Sequence, residues 1–299
     1  MRLVNFGPAG AEQPGVLVDD DTIVPLGPIL GRVGFRSNDM KNIIALWDTL
    51  RPVIESQLRQ NPTTLAASSV RIGPPILRPG KVIAIGFNYP QHTSAVIGSG
   101  IEVADPIIFL KPSDCVSGPN DPVVKPPETS TLDYEIELAV VIGRTGRRIS
   151  PLEALDYVVG YLIANDITAR DVALGAGLDH PLQLQMVRGK GFPTFCPTGP
   201  WLVTADEVPK PEELRLQLSV NGVARQDSVA GEMLVQIPEL IAWVSTGMEL
   251  APGDVILTGT PAGCGFQLDP PTYLRSSDVV RASISKLGEM SFMVHDERI

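Results

Sequence analysis

Cysteine and histidine are both scarce in this chain, and each shortage removes a class of function. Its 299 residues include three cysteines, Cys115, Cys196 and Cys264, an odd number widely spaced. They support neither a disulfide framework nor a zinc site, so buried structural thiols in a reducing compartment are the expectation. The histidines are also three, His92, His180 and His295. Basic residues are outnumbered, 24 Lys and Arg against 34 Asp and Glu, and the formal net charge is −10. That balance argues against a nucleic-acid partner or an anionic membrane surface, both of which need a basic field. No segment approaches the roughly 20 apolar residues of a membrane span. The amino terminus lacks the long apolar core of a signal peptide, and Glu297-Arg298-Ile299 is no peroxisomal tripeptide, so a cytoplasmic location is expected. Phosphate-binding loops, dinucleotide fingerprints and internal repeats are absent as well.

What remains has the composition of a soluble enzyme. An apolar fraction of 43% with 19% charged residues is ordinary for a globular protein long enough for a core of real size. The chain divides before residue 80, where Pro74, Pro75, Pro79 and Gly80 read as a linker. A small α+β amino-terminal domain over 1–75 and a main domain over 76–299 are expected. Short strands are predicted at Arg2–Phe6, Gly15–Val18 and Thr22–Val24, then a helix over Met40–Gln60 capped by Asn38 or Asp39. The main domain reads as strands at Lys81–Asn88, Pro106–Leu110, Asp133–Ile142, Gly160–Thr168, Leu214–Val220, Asp254–Thr258 and Asp278–Ser285. Helices are predicted at Pro151–Tyr157, capped by Ser150, and at Met233–Ser245, where Pro238 implies a kink or a later start. Strands outnumber helices without regular βαβ alternation, which points to a β-rich α+β fold.

The most informative residues are three carboxylates. Glu135 and Glu137 lie in Leu132-Asp133-Tyr134-Glu135-Ile136-Glu137-Leu138, and Asp166 in Asn165-Asp166-Ile167-Thr168. A strand turns successive side chains to opposite faces, so Glu135 and Glu137 should share one. Two anions in an apolar wall repel, and burying them costs several kcal/mol unless a positive charge compensates. A hard divalent cation held by oxygen ligands is the natural compensation. The alternative is an edge strand with an acidic, wet outer face. Against it, Leu138-Ala139-Val140-Val141-Ile142 continues without alternation, as a strand covered on both faces would.

Other chemistry gathers after residue 80. Gly86-Phe87-Asn88-Tyr89-Pro90-Gln91-His92 ends a strand and enters a polar stretch, Thr93 to Ala104, that is a candidate lid. Taken alone, His92 reads more readily as a solvated loop residue than as a functional one. Lys190 lies between Gly189 and Gly191, where backbone can approach a ligand, although a plain turn lysine has the same spacing. Thr258-Gly259-Thr260-Pro261-Ala262-Gly263 resembles an anion- or carbonyl-binding loop.

In this order the segments resemble the fumarylacetoacetate hydrolase superfamily. The shared run comprises Gly86-Phe87-Asn88-Tyr89 with His92, Ile108-Phe109-Leu110-Lys111-Pro112, Asp133 to Leu138, and Gly160-Tyr161 through Asn165-Asp166 to Ala169-Arg170-Asp171. It continues through Gly189-Lys190-Gly191-Phe192, Val220-Asn221-Gly222, and Pro252-Gly253-Asp254 into Thr258 to Gly263. The resemblance implies a mixed β-roll catalytic domain behind the small amino-terminal one, a homodimer, and Mg²⁺, Mn²⁺ or Ca²⁺. It implies Glu135, Glu137 and Asp166 as metal ligands, and Lys190 and His92 as catalytic residues with His92 the lid base. Tyr89, Arg170, Gly259 and Thr260 become substrate-binding residues.

Two departures bear on the reaction. Members that activate water through the histidine commonly carry a glutamate three residues later, and here that place is Ala95. Many carry a glutamine soon after the Ala-Arg-Asp segment, and Val172-Ala173-Leu174 offers none. A histidine base needs a partner to fix its tautomer, which Glu102 or Asp105 would supply if the lid folds over. The implied activity is cleavage of a C–C bond in a 2-oxo acid or 1,3-dicarbonyl through a metal-stabilised enolate, by hydrolysis or decarboxylation. Keto–enol tautomerisation, dehydration or cyclisation on the same site is the alternative, and a non-catalytic binding relic a further one. The two departures tilt the expectation toward decarboxylation or proton transfer, on a small anionic oxo acid.

Overall fold

A computed structural model describes residues 1–97, 105–174 and 184–298. The amino-terminal segment forms β1 (Arg2–Phe6), β2 (Gln13–Leu17), β3 (Thr22–Pro25), α1 (Leu26–Gly31), α2 (Met40–Ala45), α3 (Trp47–Leu58), β4 (Leu65–Ala66) and β5 (Ile72–Gly73). There follow β6 (Val82–Gly86), α4 (Pro90–Ile97), β7 (Ile107–Lys111), β8 (Val116–Ser117), β9 (Val123–Lys125), β10 (Leu132–Asp133), β11 (Ile136–Ile142) and β12 (Val158–Asn165). Next come β13 (Thr168–Ala169), α5 (Arg170–Leu174), α6 (Met186–Lys190), β14 (Cys196–Thr204), β15 (Arg215–Val220) and β16 (Val223–Val229). The described chain ends with α7 (Ile237–Gly247), β17 (Val255–Leu257), β18 (Val279–Ile284) and β19 (Gly288–Asp296). Among the described residues no helix is long and apolar enough to cross a membrane.

The fold is α+β and dominated by mixed sheets, none of them closed into a barrel. The largest has 12 strands on a path β4-β3-β2-β1-β14-β12-β11-β17-β6-β7, with β5 on β1 and β8 on β14. A five-stranded sheet, β16-β15-β18-β19-β9, packs beside it. The strands of 1–75 join the large sheet through β1, which runs antiparallel to β14 with Arg2 opposite Val203.

Strands β11 and β12 are buried on both faces, and their alternation feeds two cores. Leu138, Val140 and Ile142 pack with Leu216, Leu218 and Val280 of the smaller sheet and with Ile237 and Leu240 of α7. Ala139 and Val141 point the other way, into a cluster with Ile43, Ile44 and Ile54 of α2 and α3. The unbroken apolar run is therefore the mark of a strand covered twice, and the wet acidic edge is excluded.

Several elements differ from the sequence expectation. The helix over Met40–Gln60 is two helices, because Leu46 leaves helical geometry at φ −114°, ψ 24°. Asp39 caps the first by accepting from the Lys41 N–H at 2.9 Å. Pro151–Tyr157 forms a turn and a short 3₁₀ segment rather than an α-helix. The helix expected from Met233 starts at Ile237 with Pro238 in its first turn, where the missing N–H has no intrahelical partner to lose. The polar stretch after Pro90 begins as helix α4, and its continuation over 98–104 lies outside the described residues.

Three long strands fall outside the sequence expectation. Cys196-Pro197-Thr198-Gly199-Pro200 looks like a turn yet opens β14, because most of its bonds are to flanking strands that sequence does not locate. Strand β16 is polar and returns on β15 through an Asn221-Gly222 turn with φ of 52° and 79°, a hairpin signature read only as part of the resemblance. In β19 the buried Met290, Phe292 and Val294 alternate with more exposed residues, a period of two that the sequence carries.

Gly160 marks a close approach between β12 and β14, since a Cβ there would lie 2.2 Å from the Val203 carbonyl oxygen. Gly160→Ala is expected to lower stability by about 1–3 kcal/mol through overpacking. Thermal unfolding checks it, and an unchanged midpoint would contradict so tight a contact.

Candidate metal centre

Glu135 does not lie within the long strand as expected. It occupies the Tyr134–Glu135 step between β10 and β11, where side-chain bonds replace the sheet ladder. Its N–H donates to Asn165 Oδ1 at 2.9 Å, and the Asp166 N–H donates to its carbonyl at 2.8 Å. These two bonds clamp Glu135 against the end of β12, where Asp166 emerges. Glu137, second residue of β11, completes the group. Each of the three carboxylates offers one oxygen, all within 4.8 Å of one another, and all three residues are buried.

Cations surround this group. Lys190 Nζ donates to Glu135 Oε2 at 2.7 Å and to Asp166 Oδ2 at 2.6 Å. Arg170 donates through Nη2 to Glu135 Oε1 at 2.5 Å and through Nε to Asp133 Oδ2 at 2.9 Å. Lys111, at the end of β7, is a member the sequence did not single out. Its fully buried ammonium donates to Asp166 Oδ1 at 2.5 Å and also to the Lys190 carbonyl oxygen. An apolar strand ending on a lysine was the available signal. Asp133 was missed too, although it lies in the same short segment as Glu135. It accepts from Arg170 and from the Gly265 and Phe266 N–H groups at 2.7 and 3.2 Å.

Among the described residues the carboxylates Asp133, Glu135, Glu137 and Asp166 thus face three cations, and Glu137 is the one without a cation in contact. Among the described residues its Oε2 accepts only the Gly259 N–H, at 2.6 Å. Burial, with Asp166 and Glu135 beside it, pushes the Glu137 carboxyl well above the usual range. Burial acts the same way on Glu135, but Arg170 and Lys190 override it and hold that group below the ordinary carboxylate range. Lys190 and Lys111 are desolvated, which favours neutrality, yet their anionic neighbours hold both above the usual lysine value. An all-oxygen set with one uncompensated carboxylate suits a hard divalent cation.

The remaining expected site residues take specific places. Gly259 adopts φ +100° against Asn88, and its N–H serves Glu137. Thr260 Oγ1 donates to the Ile136 carbonyl at 2.9 Å and accepts from Gln226 Nε2 at 2.8 Å. Gln226 also accepts the Ile136 N–H at 3.0 Å, and no sequence signal pointed to it. Tyr89 is fully buried, and its hydroxyl has no partner among the described residues. The glycines beside Lys190 serve packing: a Cβ on Gly189 would strike Ala173 at 2.5 Å, and one on Gly191 would strike Pro112. Lys190 therefore ends a short helix pressed against α5 and β7 and is no turn lysine.

His92 is buried on α4 and comes to the edge of this cluster. Its ring meets Phe266 edge-on at 5.8 Å, and the Arg170 guanidinium lies 4.4 Å from the other partner of that contact, the Phe266 ring. Desolvation lowers the imidazole to about 4, only partly offset by Glu135. Asp105 is exposed, and Glu102, the other suggested partner for His92, lies outside the described residues.

Comparison with known proteins places these features in company. Residues 81–295 match the fumarylacetoacetate (FAA) hydrolase C-terminal family model. A mitochondrial oxaloacetate tautomerase of Xenopus laevis is 37% identical over 295 residues, covering 97% of this chain and 89% of that protein. A crystal structure described as a probable 2-hydroxyhepta-2,4-diene-1,7-dioate isomerase from Mycobacterium abscessus superposes with a TM-score of 0.83 at 45% identity, covering 100% of both chains. A maleylpyruvate hydrolase from Sphingobium sp. SYK-6, in complex with manganese(II) and pyruvate, superposes at 0.81 with 32% identity and the same full coverage.

The raised Glu137 predicts a definite pH dependence of metal-free stability. The folded protein holds this proton more tightly than the unfolded chain, whose glutamate titrates near 4.3. The stabilisation is therefore complete below that value and is lost as pH rises through the elevated folded-state value. Thermal melting across this window in chelator-treated protein should show the decline. Glu137→Gln or added Mg²⁺ or Mn²⁺ should flatten it, and an identical slope in all three samples would refute the assignment.

Proposed function

The chain belongs to the fumarylacetoacetate hydrolase family, and from that premise we propose that it is a divalent-metal-dependent keto–enol tautomerase or isomerase of a small anionic 2-oxo acid or diketo acid. The observation that carries this reading is the buried Glu135, Glu137 and Asp166 triad set among Lys111, Arg170 and Lys190. Mg²⁺ or Mn²⁺, with Ca²⁺ a third candidate, would be held by those three carboxylates. When bound it supplies Lewis acidity to the carbonyl oxygens of a chelated oxo acid.

The protein's own groups do the rest. Burial favours a protonated Glu137 in the metal-free site, where the other described charges balance; with a divalent ion bound and that proton released, the pocket carries one positive charge in excess. An anionic substrate is then the complementary ligand. Lys190 and Arg170, fixed by Glu135, Asp166 and Asp133, keep a standing positive field where enolate charge grows, with little reorganisation during the reaction. Tautomerisation moves one proton between carbon and oxygen and consumes no water. That suits a buried neutral His92 with Ala95 where a carboxylate partner would stand. The likeness to an oxaloacetate tautomerase supports the same choice. C–C cleavage, hydrolytic or decarboxylative, is the second reading, supported by the likeness to maleylpyruvate hydrolase.

Oxaloacetate and acylpyruvates, assayed with and without Mg²⁺ or Mn²⁺, separate the readings. Metal-dependent enol–keto exchange without CO₂ or cleavage products is expected. Glu137→Gln or Asp166→Asn should lower it by about 10²-fold or more, the rate equivalent of a few kcal/mol. Metal-stimulated CO₂ release or two carboxylic fragments would establish cleavage instead, and no metal-stimulated turnover of any oxo acid would leave a binding relic.

A further inference from the structure

A sulfur atom faces the His92 ring. Cys264 Sγ lies 3.7 Å from His92 Nδ1 in a buried contact, on the loop that also carries Phe266. The same sulfur lies 3.7 Å from Gln226 Nε2 and 3.9 Å from the Pro261 carbonyl oxygen. Both Gln226 Nε2 hydrogens are directed at Thr260 Oγ1 and Pro261 O, at 2.8 Å each, so the longer contact to sulfur adds no donor and the thiol hydrogen is the one left to place. The thiol hydrogen then has two acceptors in reach, Pro261 O and Nδ1. Pro261 O already accepts Gln226 Nε2 at 2.8 Å, and Nδ1 is the nearer to the sulfur.

Protonation states agree with this geometry. Burial pushes the Cys264 thiol well above its ordinary value, with Glu135 and Asp133 adding to the effect, so it remains a donor. The charged groups acting on His92 are Glu135 and Asp166, which favour the imidazolium, and Arg170 and Lys190, which oppose it. Burial outweighs them all, and a neutral ring leaves one nitrogen free to accept.

We propose that Cys264 is a positioning residue for His92: its thiol donates to Nδ1, so the ring proton stays on Nε2 and His92 acts as a hydrogen-bond donor rather than a base. This rests on the tautomerase reading, in which a neutral imidazole N–H can support a developing enolate oxygen while no water needs deprotonation. It also explains how the chain dispenses with a carboxylate at position 95. An unpaired imidazole samples both tautomers; the thiol selects one.

Protein labelled with ¹⁵N-histidine reports the tautomer directly through long-range ¹H–¹⁵N spectra at neutral pH, with His92→Gln identifying the resonances. Wild type is expected in the Nε2–H form. Cys264→Ser, which keeps a donor, should preserve that form, and Cys264→Ala should shift the ring nitrogens toward a mixture. An Nδ1–H ring in wild type, or unchanged shifts in Cys264→Ala, would overturn the proposal, and the wild-type spectrum decides even if that variant fails to fold. On enol–keto exchange, Cys264→Ala should lower kcat by roughly fivefold with KM little changed, the scale of one neutral hydrogen bond, and Cys264→Ser should restore it. Full turnover in His92→Gln would overturn the part given to His92 in the reaction, whereas CO₂ release, cleavage products or no metal-stimulated exchange would fail the functional reading, and the spectra tell either apart from a failure of the tautomer assignment.

Discussion

Asp166 held between two lysines is the interaction on which the site depends. Lys111 reaches it from an edge strand of the large sheet and Lys190 from a short helix, and Lys111 also binds the backbone of Lys190. The chain of charges continues through Glu135 and Arg170 to Asp133, which closes on the N–H groups of Gly265 and Phe266. Segments distant in sequence are thereby tied at one point. Each of these groups would be expensive to bury alone, and removing one partner from such a pair typically costs about 3–5 kcal/mol because it strands the other. The network is consequently rigid at the place where a ligand's charge must be met.

Side-chain amides perform the second task, ending the strands without leaving backbone groups unpaired. Asn165 receives the Glu135 N–H, and Gln226 receives the Ile136 N–H while donating to Thr260 and Pro261. Asn88 donates to the carbonyls of Thr258 and Val235 and accepts the Val235 N–H, just after Phe87 turns the chain with φ of 60°. Such bonds let β11, β12 and β17 stop in register around the carboxylates, where a continued ladder would have carried Glu135 and Asp166 into ordinary strand positions. The buried Tyr89 hydroxyl and Asn165 Nδ2 have no partner among the described residues, so polar capacity beside the carboxylates exceeds what the fold itself uses.

Legibility followed the range of the forces involved. The triad was visible because acidic residues in apolar runs conflict with burial locally, and a conflict can be read wherever it stands. The doubly covered β11 and the Asp39 cap were visible for the same reason, being properties of a few neighbouring residues. Strand β14 was not, since its Pro- and Gly-rich opening is tolerated only because neighbouring strands complete its bonds. Lys111 looked like an ordinary strand end, and Gln226 like any polar residue of a hairpin.

The sequence by itself determined the fold family, the three carboxylates and the absence of a glutamate at Ala95, because residue type and order carry those facts. Only the tertiary structure decided what compensates the charges and what stands beside His92. Lys111 lies 55 residues from Asp166, and Cys264 lies 172 from His92. Contacts of that range are set by sheet pairing and loop closure, which local chemistry does not encode. An imidazole's tautomer depends on the one atom facing its nitrogen, and here the fold, not the neighbouring sequence, put sulfur there.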